Sequence, residues 1–291
     1  MKNNFNNKII FFLLLIAFTV FIFPSCSSSP KNPGDIFILR NQAEAGLVAA
    51  NYEASRGNFN TAFTLLAEFK RSAVLVDDLS LIIRICLSLG NVLYSLGRVD
   101  EAFIQWDRAL NDAKLLNDAE LLSLSKIFYA RGNLLSGRIS PELILNEVIL
   151  ESANIKKDRQ YIAFSWQVRG HALRMLGRWS EAESAVRLSL DIHEKDLLLE
   201  NASYDWYTIA SIRSLSGNTD GALQALNASI ALDRRVENSW GLAASWRAMG
   251  DVLRKAGRNE EAAQAYQRSK DIYIAMGNEN EANEIDRRME M

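Results

Sequence analysis

Small residues recur along the chain with a stride of forty positions, and they interrupt long segments rich in alanine, leucine and arginine. Six glycines mark this stride: Gly57, Gly97, Gly137, Gly177, Gly217 and Gly257. Another small residue stands seven positions before each of them: Ala50, Gly90, Ala130, Gly170, Ala210 and Gly250. Glycine permits the left-handed backbone that ends a helix, and small residues let two helices approach closely. Each unit is therefore predicted to be a pair of helices that turns at its glycine.

Polar residues at two further positions predict where these helices begin. Three residues after the glycines come Asn60, Asp100, Ser140, Ser180, Asp220 and Glu260. All of these except Glu260 are strong N-cap residues, which we expect to cap the second helix of each pair. Twenty-one residues after them come Asp78, Asp118, Asp158, Leu198, Asn238 and Asn278, which we expect to cap the next first helix. Leu198 has no side-chain acceptor, so we expect Glu200 or Asn201 to replace it.

The repeated units predict an all-α protein, an α-solenoid of six antiparallel helix pairs over residues 38–291. Its first helix is expected from Asn41 to Gly57. The polar C-terminal tail is expected to form a capping helix over about 279–290, with Ala282, Ile285 and Met289 turned inward. Such a cap is needed because the last unit of a solenoid must present a wettable outer face.

Composition and charge exclude several classes of function. The chain has 291 residues, of which 48% are hydrophobic and 23% charged, and its net charge is −2. Nucleic-acid-binding proteins usually carry a strongly basic surface, so nucleic acid is not expected as a partner. The sequence contains two histidines and no motif for an activated nucleophile, a metal site or a phosphate-binding loop. We therefore expect no catalytic residue, no cofactor and no metal, and no enzyme activity.

The first 37 residues differ in character from the rest. Lys2 and Lys8 precede an apolar run from Ile9 to Phe23, and a stretch rich in serine and proline follows. A basic start, a short apolar core and a small-residue exit are typical of a secretory signal, here predicted over residues 1–25. The run is shorter than the roughly 20 apolar residues that span a bilayer, and a short uncleaved anchor remains the alternative.

Residues 23–26 resemble the bacterial lipobox, in which a cysteine is lipidated and becomes the mature N-terminus. Ser25 fits this pattern, whereas the two residues before it depart from it. The resemblance implies a lipid on Cys26, a flexible tether over residues 26–37, and export to the cell envelope. Ser27 after the cysteine favours the outer membrane, with the periplasmic face expected rather than the cell surface. Cys86 then has no partner, and its apolar surroundings predict a buried, inert thiol.

Four positions of the repeat resemble the tetratricopeptide repeat, whose pattern is a tryptophan, a small residue, a turn and an alanine on the second helix. Three units carry all four: Trp166, Gly170, Gly177 and Ala182; Trp206, Ala210, Gly217 and Ala222; Trp246, Gly250, Gly257 and Ala262. The family's common period is 34 residues, and helices longer by about one turn account for the longer stride here. HEAT repeats share the length but lack this pattern.

The resemblance implies a right-handed superhelix whose concave groove is lined by the first helix of each pair and binds a protein or peptide partner. Transferred by position, the groove residues are Asn91, Arg131, Gln167, His171, Arg174, Tyr207, Arg247, Asp251 and Arg254. The early groove would be apolar, at Leu47, Leu87, Ile127 and Leu134. The signature tryptophans would fill the space between paired helices. For each groove residue, a merely solvated helix face is the alternative.

We therefore expect a non-enzymatic, lipid-anchored scaffold that binds a peptide or protein partner in its groove, for example in the assembly of an envelope complex. The alternative is an accessory subunit of a solute-transport system that holds a small ligand. A long open groove would favour the scaffold, whereas a closed apolar cavity or a ring of subunits would favour the transport subunit. The oligomeric state does not follow from the sequence.

Overall fold

The computed structural model describes residues 38–290, and the regular structure in this range is entirely α-helical. Its thirteen helices are α1 (Ile38–Ser55), α2 (Phe59–Leu75), α3 (Leu79–Ser95), α4 (Val99–Leu116), α5 (Ala119–Ser136), α6 (Pro141–Ser152), α7 (Arg159–Met175), α8 (Trp179–Lys195), α9 (Leu199–Leu215), α10 (Thr219–Arg235), α11 (Ser239–Lys255), α12 (Asn259–Ala275) and α13 (Glu279–Glu290). Consecutive helices pack against each other, so α1 to α12 form six antiparallel pairs that α13 closes. The predicted solenoid is confirmed, and its first helix begins at Ile38 rather than Asn41.

The six repeat glycines end the first helices in the left-handed backbone conformation, with φ between 66° at Gly137 and 86° at Gly217. Residues with a side chain are strained in this conformation, which explains why glycine occupies this position in all six units. Five of the six turns that follow a second helix use the same conformation, mostly without glycine, and only the turn between α6 and α7 does not. The residues are Asp77, Asn117, Leu197, Glu237 and Gly277.

The first helices are capped as the sequence predicts. Side-chain oxygens accept hydrogen bonds from backbone N–H groups of the first turn at Asp78, Asp118, Asp158, Asn238 and Asn278. Leu198 takes the same position before α9 without a side-chain bond. Glu200 and Asn201 do not replace it, because both lie inside α9 and the Glu200 carboxylate accepts from the Ser55 hydroxyl instead.

The predicted caps of the second helices are wrong at four of the five positions. Asn60, Asp100, Ser180 and Asp220 are each the second residue of their helix, as is Glu260 in the sixth unit. The reason is that these helices begin two residues after the glycine, as soon as the left-handed turn is complete, and not four residues after it. Only Ser140 occupies the cap position, because Pro141 starts a helix readily and delays this one.

The core holds one fully buried tryptophan, and it does not belong to the repeat signature. Trp106 on α4 lies between Gly90 of α3 and Gly132 of α5. A Cβ on these glycines would stand 2.2 Å and 2.3 Å from the indole ring, so a side chain is excluded at both. The prediction that the signature tryptophans fill the space between helices is wrong in this respect. They are half-buried, each with an arginine guanidinium over its ring: Trp166, Trp206 and Trp246.

The capping helix α13 docks through Ala282 and Ile285, which are buried as predicted. Met289 is 37% exposed, so the prediction that it turns inward is wrong. It lies in the last turn of α13. A charged contact adds to the docking, since Glu281 pairs with Arg247 of α11 at 3.0 Å.

Some predictions fall on residues outside the described range: the signal over 1–25, the tether over 26–37 and the lipid on Cys26. Within residues 38–290, no helix has the length and apolar character needed to cross a bilayer. Cys86 lies inside this range, is fully buried, and burial raises the pKa of its thiol. These properties agree with an inert cysteine.

Candidate binding cavity

A cavity of about 510 Å³ lies between the first helices of the six pairs. Each of these helices contributes to its lining: Ala54 from α1, Asn91 from α3, Arg131 from α5, Gln167 from α7, Tyr207 from α9 and Arg247 from α11. Ser229 and Asp233 of α10 also reach it. A cavity lined by every first helix lies on the inside of the curve, where the repeat pattern implied a groove.

The structure brings five of the nine predicted groove residues to this cavity: Asn91, Arg131, Gln167, Tyr207 and Arg247. Arg131 Nη1 donates to Asn91 Oδ1 at 3.3 Å, so two of them are also bonded to each other across adjacent repeats. Of the two arginines in the lining, Arg247 already forms an ion pair, with Glu281. The remaining cavity arginine, Arg131, keeps most of its guanidinium N–H groups for other partners.

His171 and Arg174 follow Gln167 along α7 and lie beside the cavity. The Nε2 atom of His171 lies 3.0 Å from the hydroxyl of Tyr204, a lining residue. Burial, with repulsion from Arg131 and Arg174, lowers the pKa of His171 to about 3, so this imidazole is neutral at physiological pH. Two buried atoms, His171 Nδ1 and Arg174 Nε, have no hydrogen-bond partner within the described residues. We call Arg131, His171 and Arg174 the arginine end of the cavity.

Asp251 and Arg254 do not line this cavity, because the C-terminal helices engage both of them. Asp251 accepts hydrogen bonds from the Tyr266 hydroxyl at 2.7 Å and from Arg288 at 3.0 Å. Arg254 donates to the backbone carbonyl of Arg288. The structure assigns these two residues to the docking of α13.

The prediction of an apolar early groove is wrong. Its four members are 6%, 2%, 0% and 1% exposed and belong to the core: Leu47, Leu87, Ile127 and Leu134. In the first three repeats these positions face neighbouring helices, whereas later repeats carry polar and aromatic residues there. The accessible lining is consequently polar and aromatic along its length.

Sequence inspection missed an acidic group in the lining, formed by Glu200 and Asp233. Asp233 is 1% exposed, and its Oδ1 accepts from the Asn238 amide at 2.8 Å. Its Oδ2 is buried without a hydrogen-bond partner among residues 38–290. Burial raises the pKa of Asp233 to about 6, Ser203 and Asn238 partly oppose this rise, and the charge of Glu200 adds to it. We call Glu200 and Asp233 the acidic end of the cavity.

A signal for Asp233 was present in the repeat. Asp233 stands at the same distance from its repeat glycine as an alanine does in each of the first three units: Ala73, Ala113 and Ala153. The fourth and sixth units carry His193 and Tyr273 there, and the residue is buried in every unit except at Ala153. An acidic residue at this mostly buried position breaks the pattern, because buried charges without a partner are costly. This break would have identified Asp233 as a candidate site residue.

The first hairpin closes the inside of the curve by touching repeats far along the chain. Arg56 donates to the backbone carbonyls of Val236 at 2.6 Å and Glu237 at 3.2 Å, which end α10. The ring of Phe59 meets Trp240 edge-on, with centroids 5.6 Å apart. Gly57 packs so closely on the same indole that a Cβ would stand 2.5 Å from it. We call this set, together with the bond from Ser55 to Glu200, the closing contact.

A buried network holds Gln167 in the lining. Its Nε2 donates to Asp205 Oδ1 at 2.7 Å, and Asp205 Oδ2 lies 2.6 Å from His193 Nδ1 and 3.0 Å from Ser189 Oγ. Ser189, His193 and Asp205 are the residue types of a catalytic triad, but their arrangement is not that of one. Ser189 is 0% exposed and donates to the carboxylate, so it is not presented to any substrate. In the described range, no cluster of histidine, cysteine and acidic residues has the composition of a metal site.

Comparisons with known proteins agree with the repeat pattern. A family model described as tetratricopeptide repeat matches residues 202–275, which run from α9 to α12. Residues 202–275 therefore contain tetratricopeptide repeats. The same register of turn glycines and helix pairs continues through the other units of the solenoid. The repeats of this family are non-catalytic protein-interaction scaffolds.

Solved structures of tetratricopeptide type are similar in fold to this chain. One is a Rap protein complexed with Competence and Sporulation Factor, with a TM-score of 0.59, 16% identity, and coverage of 85% of this chain and 73% of that one. A second is BtubC from P. vanneervenii, with a TM-score of 0.56, 15% identity, and coverage of 82% and 92%. A third is the apo form of RapI, with a TM-score of 0.52, 17% identity, and coverage of 85% and 96%. No curated protein matches the sequence. At these identities the similarity concerns the fold alone.

Proposed function

We propose that this protein is an interaction scaffold that receives a peptide segment of its partner in the cavity between its first helices. The observation that carries the proposal is a cavity to which all six first helices contribute, with a buried polar atom in its lining, Asp233 Oδ2, that has no partner among the described residues. Unpaired buried polar atoms cost free energy, and a ligand that pairs them recovers it. Tyrosine and arginine, both present in the lining, are also enriched among residues that dominate binding energy.

One of the fold neighbours supports a binding role. The Rap structure contains Competence and Sporulation Factor, so a solenoid of similar fold does bind a second molecule. We carry only the mode of binding over to this chain, because the identity is low.

We further propose that the scaffold is anchored in the cell envelope by a lipid on Cys26, on the periplasmic face of the outer membrane. The support is the sequence alone: a short apolar segment followed by a cysteine and a serine-rich stretch. In this location the cavity would be held near the membrane surface by a short tether, where it could serve the assembly of an envelope complex.

A second candidate function is an accessory subunit of a solute-transport system. The observation that favours it is the closing contact, which encloses a cavity of a size usual for small ligands and not a long open groove. The cavity is polar, however, so an apolar solute does not fit it. A polar solute would be the substrate in this case.

Affinity capture from membranes tests the scaffold. The full-length protein is compared with a variant carrying Arg131→Glu and Arg174→Glu, and we expect this variant to lose the captured partner. The matched control carries Arg71→Glu and Arg108→Glu, two exposed arginines on the second helices α2 and α4. Thermal unfolding establishes that both variants are folded. If the cavity variant captures the same proteins as the wild type, the cavity is not the binding site.

A further inference from the structure

The cavity carries opposite charges that do not neutralise each other. Arg131 lines it with a hydrogen bond to the neutral Asn91 and no ion pair within 4.0 Å to any described carboxylate. Asp233 lines it with a hydrogen bond to the neutral Asn238 and no ion pair to any described arginine or lysine. Two unpaired opposite charges in one enclosed site favour a ligand that carries both charges itself.

The arginine end suits a carboxylate. A guanidinium presents its N–H groups in a planar fork that binds both oxygens of a carboxylate. His171 carries no charge at physiological pH, because burial, with repulsion from Arg131 and Arg174, lowers its pKa to about 3. Arg174 Nε is buried and has no hydrogen-bond partner among the described residues.

The acidic end suits an amino group. An ammonium needs acceptors around it, and this end provides the Asp233 carboxylate, the Glu200 carboxylate and the hydroxyls of Ser203 and Ser229. The Oδ2 atom of Asp233 has no hydrogen-bond partner among the described residues although its side chain is only 1% exposed, so it is available to a ligand in the cavity. Glu200 is less available, because Ser55 and Arg56 already contact its carboxylate.

Aromatic rings from α9 and α11 also line the cavity. Tyr204 and Tyr207 stack with centroids 6.5 Å apart, and Trp240 lies in the closing contact. Such rings provide flat apolar surface for the uncharged middle of a ligand. The volume of about 510 Å³ falls in the range of small-ligand sites, and the closing contact borders the cavity on the side of the first hairpin.

We propose that the cavity binds a short peptide with free ends, its C-terminal carboxylate at Arg131 and its N-terminal amino group at Asp233. This inference rests on the proposed binding function of the cavity and narrows the ligand from a segment of a protein to a free oligopeptide.

The probe is a pool of random tetrapeptides built only from uncharged residues, so that the chain termini carry the only charges. Four versions of the pool are compared: free ends, N-acetylated, C-amidated, and blocked at both ends. Affinity-selection mass spectrometry identifies the tetrapeptides retained by the full-length protein, and calorimetry measures the best one in its four forms. We expect each blocked end to weaken binding about tenfold or more, because a charged hydrogen bond is lost.

Two variants assign the ends. Arg131→Gln should bind the free and the C-amidated peptide equally well, whereas Asp233→Asn should bind the free and the N-acetylated peptide equally well. The matched controls are Arg108→Gln and Asp220→Asn, both at exposed positions of second helices, which should keep the wild-type pattern.

The outcomes separate this inference from the proposed function. If the doubly blocked peptide binds as tightly as the free one, or if no pool is retained, the free peptide is not the ligand. In either case the capture experiment still decides whether a segment of a protein partner occupies the cavity. If the end effects appear but do not follow Arg131 and Asp233, the assignment of the two ends is wrong.

Discussion

Replacing Asp233 with asparagine should stabilise the folded protein at neutral pH and leave it unchanged in acid. Asparagine keeps the shape of the side chain and the acceptor for Asn238, but removes the buried charge. Burial raises the pKa of Asp233 from 3.8 to about 6, so the folded state favours the protonated acid more than the unfolded state does. The charged form therefore destabilises the fold.

The magnitude follows from this difference in pKa. At about 1.4 kcal/mol per pH unit, the shift corresponds to about 3 kcal/mol. Well below pH 3.8, at about pH 3, the acid is protonated in both states and the destabilisation is nearly absent. As the pH rises through 4 to about 6, the wild type loses this stability relative to Asp233→Asn. Above about pH 6.5 the full difference should be present.

Chemical unfolding of the wild type and of Asp233→Asn at a series of pH values between 4 and 8 measures this difference. The quantity that matters is the difference between the two proteins, because other carboxyl groups titrate equally in both. Asp220→Asn, at an exposed site, should show little pH-dependent difference. A difference that stays constant across the series would refute the claim that the charge of Asp233 is unfavourable in the folded state.

Three further predictions concern other parts of the molecule. Gly132→Ala should lower stability by about 1–3 kcal/mol in thermal unfolding despite a better helix propensity, because its Cβ would meet Trp106 at 2.3 Å; an unchanged melting temperature would contradict the packing. Arg56→Ala should accelerate amide hydrogen exchange in the first hairpin roughly tenfold by removing its bonds to the end of α10, and unchanged exchange would show that the closing contact adds no protection. Cys26→Ala should abolish incorporation of labelled palmitate in a bacterial host, whereas retained label would place the lipid elsewhere.

The sequence was sufficient for the fold because the same local pattern occurs in each of the six units. Glycine at the turn and, except at Leu198, a carboxylate or amide before the following helix are determined by backbone geometry, which varies little between units. The start of the second helices was misplaced because sequence alone does not tell a cap from a residue of the first turn. Asp100 is favourable in either position, since both place a negative charge near the helix N-terminus.

The cavity was predicted only in part, because its lining depends on contacts between distant repeats. Gln167 and Tyr207 were found by position within a unit. Leu87 occupies the same position, but it is buried by its neighbours, which no single unit reveals. The closing contact was not predicted, because no residue pattern in the first repeat indicates that Arg56 contacts the end of α10.

The closing contact also changes how the chain should fold. In an open solenoid each repeat touches only its neighbours, so stability is a sum of local terms and the ends fray independently. Here Arg56 bonds to a residue 181 positions away, which links the first repeat to the fifth and sixth. Unfolding the N-terminal hairpin therefore removes support from α9, α10 and α11 as well. The six pairs should therefore unfold more cooperatively than the units of an open solenoid, and a substitution in the first pair should also destabilise the last two.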